Sequence, residues 1–591
     1  MQNDAMPTRA ERVKQNELLM TSMKKAFTLP LVTNKKSGET KELFKRVSAE
    51  DLAAFNAAKA AGSVPEELAK FDGMKAGDPI PLAYGSDDLQ KASLSTAGNL
   101  VTYDLRDPSL HLVPWLSPIR DMLPRVDKSA KAGTTAHWKA IFASSIVQTS
   151  YQADPWINEG ARAPLYTFSA SDESAAYVSM GIDGSVTYEA VSAAVGLEDA
   201  NATARFFALE SLMTREEDAI IGGNKSLKLG TVGTVTPSAV ADTASTLPNG
   251  TYYAQCVALT YAGYRNSTVA VLPAGVATQK SITTPDGKVM AVNGGSSNIS
   301  AISAGQAITS GTNHLNLTTP AINGAFAYAW YVGTTNTAGT PLLQAITTTN
   351  SCVISSALLT GTQAASAITQ DLSVNDGTTG GLPGAVTAFD GFLVQALNAA
   401  GTFTAATGLY LNTNAYAINL LGNFLTTDSA GGVVEISNML EYMWNTFRVS
   451  VTVLWVNAQE LRNITKKILN ASSAPLVRYN QSADGESYDL VASGTVSNYF
   501  NPFLPGGGKR IPIMVHPTIP PGTILAYSET LPPYFKTNST PTVCEMLCRR
   551  DYYSRDWADV TREYQFGTYV EEVLAIYAPF CLGVITGIGN G

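Results

Sequence analysis

Val560-Thr561-Arg562-Glu563-Tyr564-Gln565-Phe566-Gly567, followed by Tyr569-Val570-Glu571-Glu572-Val573-Leu574-Ala575-Ile576-Tyr577-Ala578-Pro579-Phe580 and closed by Gly583-Val584-Ile585-Thr586-Gly587-Ile588, is the most distinctive run in the chain. β-Branched and aromatic side chains dominate it, and Pro579 and Gly583 punctuate it, so Tyr564–Ile588 reads as a set of strands. Its apolar core, Leu574–Ile588, falls short of the ~20 residues that a membrane span needs.

Working outward, 591 residues exceed what one hydrophobic core covers, so two or more domains are expected. Charged residues make up 15% of the chain, well below the ~25% usual for soluble domains. Gly, Thr, Ser, Asn and Ala fill the gap, a bias that suits a β-rich protein burying surface against its own copies. The formal charge is −9, with no long Lys/Arg run. A sequence-specific nucleic-acid ligand is not expected, because phosphate binding needs clustered cations. Five cysteines are sparse, and Cys544 and Cys548 lack a second pair or a nearby His to complete a zinc set, so buried thiols are expected. The polar start, Met1–Gln15, carries no secretory signal.

Residues 1–95 are the most charged and most helix-like. Leu18, Leu19, Met23 and Phe27 recur within Glu11–Phe27, and Ser63 with Glu66 reads as a capping box. Leu110–Pro124 carries Pro114, Pro118 and Pro124 among apolar residues, which suits an extended arm. Trp138–Ile146 and Ala175–Tyr188 read as the two strands of a long loop with a polar middle around Asp154-Pro155-Trp156 and Asn158-Glu159-Gly160. Leu197–Ile221 is the clearest helix. Phe206, Leu209, Met213 and Ile220 form its apolar stripe, with Arg215, Glu216 and Glu217 on other faces, and Gly222-Gly223 is expected to end it through a left-handed residue.

Composition then breaks. Residues 226–380 hold only about eight charged side chains and are rich in Thr, Ser, Ala, Gly and Asn. Thr251–Tyr261 and Phe326–Val332 are strand signals, and the segment reads as a helix-free β-sandwich. Its aromatics, Tyr252, Tyr253, Tyr328, Trp330 and Tyr331, argue against a linker. After Ala388, a helix is expected over Gly432–Thr446, a buried strand over Val449–Trp455, and a helix to Leu469 capped by Asn457 with Glu460. Ile524–Tyr527 is a further strand.

No motif carries catalysis. His111, His137, His314 and His516 sit in no HExxH, catalytic-loop or nucleophile-elbow context. Gly506-Gly507-Gly508-Lys509 is followed by Arg510 where a phosphate loop needs Ser or Thr. Asn480, Ser482, Asp484 and Gly485 imitate a calcium loop, but its twelfth position is Val491 instead of Glu. No enzyme, metal or cofactor is expected.

Four stretches in order carry a family resemblance: His111–Arg125, Arg215–Gly223, Val451–Leu461 with Ile519-Pro520-Pro521-Gly522-Thr523, and the C-terminal run. Together they resemble major capsid proteins of tailed bacteriophages with the Hong Kong 97-type fold, over about 95–225 and 380–590. The insertion resembles an immunoglobulin-like or fibronectin type III-like domain, on Gly250–Tyr264 and Ala325–Gly333. The resemblance implies an α+β fold: an N-terminal helical extension over 1–95, scaffold-like or shell-lining; an N-arm over 96–137; an extended loop over 138–190; a spine helix over 191–225; an inserted all-β sandwich over 226–380; an axial domain over 381–520; and a return to the peripheral domain over 521–591.

It also implies a shell of homo-hexamers and homo-pentamers, assembled in the host cytoplasm, enclosing double-stranded DNA without reading its sequence. A portal protein at one vertex, room for a decoration or cement protein, and no membrane complete that picture. Trp115, Leu116, Trp156, Ile157, Leu165 and Phe168 are the subunit-contact candidates. Some relatives crosslink through a loop lysine, whereas Ile141 to Asn224 here contains none. Two alternatives are an encapsulin-like compartment and a sugar-binding adhesin stacking rings on the aromatics of the insertion.

Overall fold

The computed structural model describes residues 49–60, 62, 75, 116–128, 133–144, 156–162, 168–194, 199–309, 313–381, 384–398, 416–429, 431–471, 478–481, 488–491, 496–504, 507–531, 542–558 and 561–591. The chain divides into two compact units, Met1–Arg106 and Asp107–Gly591. In the first, helix α1 (Ala49–Ala60) is built largely from alanine and other strong helix formers and carries Lys59 over the ring of Phe55. The expected helix over Glu11–Phe27 and the Ser63/Glu66 cap lie outside the described residues.

The second unit mixes helix and sheet. It opens with α2 (Pro118–Met122), β1 (Arg125–Asp127), β2 (Thr135–Ser144), β3 (Phe168–Ala176), β4 (Val178–Thr187), α3 (Tyr188–Ala194) and α4 (Ala200–Gly222). There follow β5 (Thr236–Ala241), β6 (Gly250–Leu259), α5 (Tyr261–Asn266), β7 (Lys280–Thr283), β8 (Val289–Val292), β9 (Gln306–Ile308), β10 (Asn313–Thr318), β11 (Ala327–Gly333), β12 (Leu342–Thr347) and β13 (Ser351–Ile354). The remainder is α6 (Phe392–Leu397), β14 (Tyr416–Asn419), α7 (Val434–Phe447), β15 (Val453–Val456), α8 (Ala458–Ala471), β16 (Arg478–Gln481), β17 (Tyr488–Val491), β18 (Asn498–Asn501), β19 (Lys509–Val515), β20 (Ile524–Tyr527), β21 (Cys544–Asp556), β22 (Glu563–Ile576) and β23 (Leu582–Thr586).

Both ends of this unit build one sheet, ordered β1-β21-β22-β4. β21 and β22 run antiparallel from Cys544↔Ile576 to Asp556↔Phe566, and β22 then pairs β4 from Glu563↔Thr187 to Glu572↔Val178. Helix α4 packs on this sheet. Asp199 starts the helix by accepting the backbone N–H groups of Asn201 and Ala202 at 3.0 and 3.1 Å, satisfying two of the amides that a helix N-terminus leaves open.

The sheet corrects the sequence reading of the loop. Trp138 pairs with Glu173 in a β2–β3 ribbon, whereas β4, expected as the returning loop strand, belongs to the four-stranded sheet. Both segments alternate, and alternation alone does not choose a partner. Helix α4 ends differently from expectation as well. Gly223 has φ −55° and is not left-handed; a Cβ there would lie 2.6 Å from the Phe389 carbonyl and 2.7 Å from that of Ala219, so close backbone approach is what requires glycine.

A second, six-stranded mixed sheet has the order β14-β23-β20-β15-β19-β18. Every residue of β15, β20 and β23 is buried, which is why these strands read as continuous apolar runs without alternation. Helix α7 contributes Ile436, Met439, Leu440, Met443 and Phe447 to the core beside this sheet, with the Met439 and Met443 sulfurs 3.0 and 3.1 Å from where a Cβ of Gly583 would stand. The strand expected at Val449–Trp455 begins at Val453. Asn457 does cap α8, accepting the Gln459 N–H at 3.0 Å, but Glu460 does not turn back to it. Instead the buried Glu460 carboxylate accepts the Gly522 N–H at 3.0 Å, tying α8 to the turn that follows Pro521.

Between α4 and α6 the chain forms two sheets, β13-β10-β5 and β12-β11-β6-β9. Both contribute to one apolar cluster, with Leu315, Leu317, Cys352 and Ile354 from the first and Tyr252, Cys256, Tyr328 and Trp330 from the second. The other face of the four-stranded sheet is also covered: Val257, Leu259, Ala329 and Tyr331 pack with Val276 and Ile368. The segment is not helix-free as expected, because Thr260 caps α5 through the Gly263 N–H and a single tight turn spans Ala365–Ala367. Its ends meet: Asn375 N–H donates to the Asn224 carbonyl at 3.0 Å, and Asp390 accepts the N–H groups of Lys225 and Ser226.

Candidate functional site, a buried charge cluster and exposed apolar edges

Glu216 and Glu217, expected to face outward, are buried. Leu212, Glu216 and Ile220 form one i, i+4 row on α4, and Glu217 shares the next with Ile221, so helix periodicity places both carboxylates inside. Their partners come from the segment 116–128. Arg120 Nε reaches Glu216 Oε2 at 2.9 Å, and Arg125 bridges Glu216, Asp551 and Glu572, the last two at 2.8 Å. Tyr552 Oη donates to Glu216 and lies 3.0 Å from Arg120 Nε, while the Arg125 guanidinium rests 4.7 Å above the Tyr552 ring.

Glu217 accepts the backbone N–H groups of Ile119 and Arg120 at 3.1 and 2.6 Å, and so fixes the start of α2 on α4. His516 Nδ1 takes the Thr518 N–H at 3.2 Å, which leaves its Nε2 hydrogen to donate to Glu217 at 3.0 Å. Burial, then the charge of Glu216, pushes the Glu572 carboxyl up to about 8, against the pull of Arg125. Among the described residues, Glu572 Oε1 and Arg125 Nε are buried without a hydrogen-bonding partner.

The structure distributes the contact candidates over separate elements. Leu116 precedes α2 and is exposed; Trp156, 86% exposed, and Ile157 sit in the turn segment 156–162 between β2 and β3. Trp115 and Leu165 lie outside the described residues, and Phe168 begins β3 with its side chain outside them. Sequence reading missed other exposed apolar side chains: Phe206 and Phe207 on α4, Ile418 on edge strand β14, and Phe500 on the opposite edge strand β18. Phe206 was expected on the buried stripe, but that stripe runs through Leu212 and Ile220.

The described histidines have local partners: His137 with Asp172, His314 with Asp242, and His516 with Glu217. His111 lies outside the described residues. Among the described residues no three His, Cys, Asp or Glu groups converge as a metal site, and no helix is long and apolar enough to cross a membrane. Tyr252, Tyr328, Trp330 and Tyr331 are buried, with the Trp330 indole N–H donating to Thr347 Oγ1 at 2.8 Å and Tyr331 Oη to Gln363 Oε1 at 2.8 Å. These four aromatics fill the core of the segment, and Tyr253 is half-buried.

No family model and no curated protein sequence matches the chain. Solved structures similar to it include the capsid of a native GTA particle, at 7% identity and TM-score 0.38 over 84% of this chain and 99% of that one. The capsid of Myoviridae phage XM1 follows at 10% identity and TM-score 0.33, over 83% of this chain and 100% of that one. The SrpI encapsulin of Synechococcus elongatus is similar over 29% of this chain and 53% of its own, at 11% identity and TM-score 0.18.

Proposed function

We propose that the chain is a shell-forming subunit, the major capsid protein of a tailed bacteriophage, and that its chemistry is contact between copies. The observation that carries this reading is the sheet β1-β21-β22-β4, built from both ends of the second unit and backed by the 23-residue helix α4. Around it stand a projecting two-stranded ribbon and a second mixed sheet whose edge strands expose Ile418 and Phe500. A ribbon and two open edges leave backbone polar groups and apolar side chains for neighbours to cover. Contacts between unlike surfaces of identical copies close into rings.

On this reading 1–95 is a scaffold-like or shell-lining extension, 96–137 an arm, 138–190 the loop that reaches a neighbour, 191–225 the spine helix, and 226–380 an inserted immunoglobulin-like module. Residues 381–520 form the axial domain and 521–591 the return to the peripheral domain. Leu116, Trp156, Ile157 and Phe168, with Trp115 and Leu165, make the subunit contacts. Hexamers and pentamers then enclose double-stranded DNA in the virion, with a portal at one vertex. Electron microscopy of the purified chain tests it: closed shells support the proposal, and a uniform monomer at high concentration overturns it.

A further inference from the structure

The buried cluster around α4 holds one carboxylate too many. Glu216, Glu217 and Glu572 are all buried, whereas the cations facing them, Arg120 and Arg125, are half-buried. His516 meets Glu217 through Nε2, and its Nδ1 accepts the Thr518 N–H. Asp551, which also meets Arg125, is half solvated. Seen from Glu572 on β22, the facing charged and titratable groups are Arg125 from β1, Glu216 from α4 and Cys548 from β21, with Arg120, Asp551 and Tyr552 bonded to Arg125 or Glu216; on the β4 side its strand partner is Val178, next to Tyr177. An uncompensated buried carboxylate is costly, and a proton is the smallest thing that neutralises it. Glu572 Oε1, buried without a hydrogen-bonding partner, is the oxygen that would carry that proton.

Both arginines belong to the segment 116–128, which is held to the rest of the unit by this cluster, by the β1–β21 pairing and by Ile119 and Leu123 in the core. Glu217 takes the Ile119 and Arg120 amides, and the Lys128 amide donates to the Cys548 carbonyl at 2.8 Å. We propose that Glu572 is kept protonated in the docked state and that residues 116–128 form a proton-dependent latch, closed while Glu572 holds its proton and opened as the proton leaves to water. Ionised Glu572 confronts the buried Glu216 with Arg125 shared between them, and lifting the segment lets water reach both carboxylates. Burial beside Glu216 raises the Glu572 carboxyl to about 8 when docked, and exposure returns it to the ordinary glutamate range. A group whose docked value is raised stabilises docking fully at low pH. That stabilisation is lost progressively as pH rises to the docked value and is constant above it. The latch is a property of the single subunit and stands or falls independently of shell formation.

Hydrogen exchange followed by mass spectrometry on the full chain, corrected for intrinsic exchange, tests it. Between about pH 6 and 8 the opening equilibrium of the 117–128 amides should rise about tenfold per pH unit and then level off. Glu572→Gln, the neutral isostere, should keep these amides protected with no such slope. A flat wild-type profile, or the wild-type slope retained in Glu572→Gln, overturns the proposal. Infrared difference spectra give a second readout. A protonated carboxyl band at neutral pH that vanishes above about 8 in the wild-type chain and is missing from Glu572→Gln supports the latch, and its absence from the wild-type chain at neutral pH contradicts it. The comparison separates this band from that of the buried Glu460, whose carboxyl burial also pushes up.

Discussion

The ring of Tyr261 lies so close over Gly222 that a Cβ at residue 222 would stand 2.3 Å from it, and the Tyr261 hydroxyl donates to Asp218 at 2.8 Å. One residue at the head of α5 is thereby keyed into the last turn of α4, and Tyr261 and Phe326 both join the core that contains α7 and the six-stranded sheet. The two-sheet segment is anchored to the helix, not merely tethered at its ends.

Substitutions at this contact should be coupled. Tyr261→Phe removes one hydrogen bond and should cost about 1 kcal/mol, whereas Tyr261→Ala empties a buried site and should cost about 3–5 kcal/mol. Gly222→Ala drives a methyl into the ring and should cost about 1–3 kcal/mol. The Gly222→Ala/Tyr261→Ala double variant should lose less than the sum, because the clash disappears with the ring. Denaturant unfolding of the four proteins measures the cycle, and strict additivity would refute the contact.

Arg125 is the hinge of the charge cluster. Arg125→Met leaves Glu216 and Glu572 buried without their shared cation and should cost about 3–5 kcal/mol near neutral pH. The loss should shrink as the solution is acidified and the carboxylates gain protons. A denaturation series in pH checks the sign.

The exposed turn segment 156–162 offers a test that spares the fold. Trp156 is 86% exposed within the subunit, so Trp156→Ser should leave a soluble, folded subunit, and combined with Phe168→Ser it should no longer close into shells. Normal shells from that variant would remove these residues from the contact set.

Excision of the inserted segment should separate folding from assembly. Asn375 meets Asn224 near the two ends of the segment, so a short linker joining Gly223 to Gly380 should span the gap. Loss of Tyr261 and Phe326 from the core should lower the melting temperature, while shells still form in micrographs. A stable, folded deletion variant that fails to assemble would make the segment an assembly element.

Much of this architecture was legible in the residues. The α4 helix, the strand at Ile524–Tyr527 and the C-terminal strands follow from periodicity and from runs of β-branched residues. The misreadings share a cause. The acidic character of Glu216 and Glu217 points to an outer face, whereas Leu212 and Ile220 bracket Glu216 on one buried row of the helix. The partner of β2 was misassigned because β3 and β4 both alternate and only tertiary pairing distinguishes them. The Arg125–Glu572 pair, 447 positions apart in sequence, has no local signature.

The most direct measurement is electron microscopy of the purified full-length chain under conditions that keep it folded. The account predicts closed, icosahedral particles of uniform size. A monodisperse monomer or an open, unclosed polymer at every concentration would contradict it.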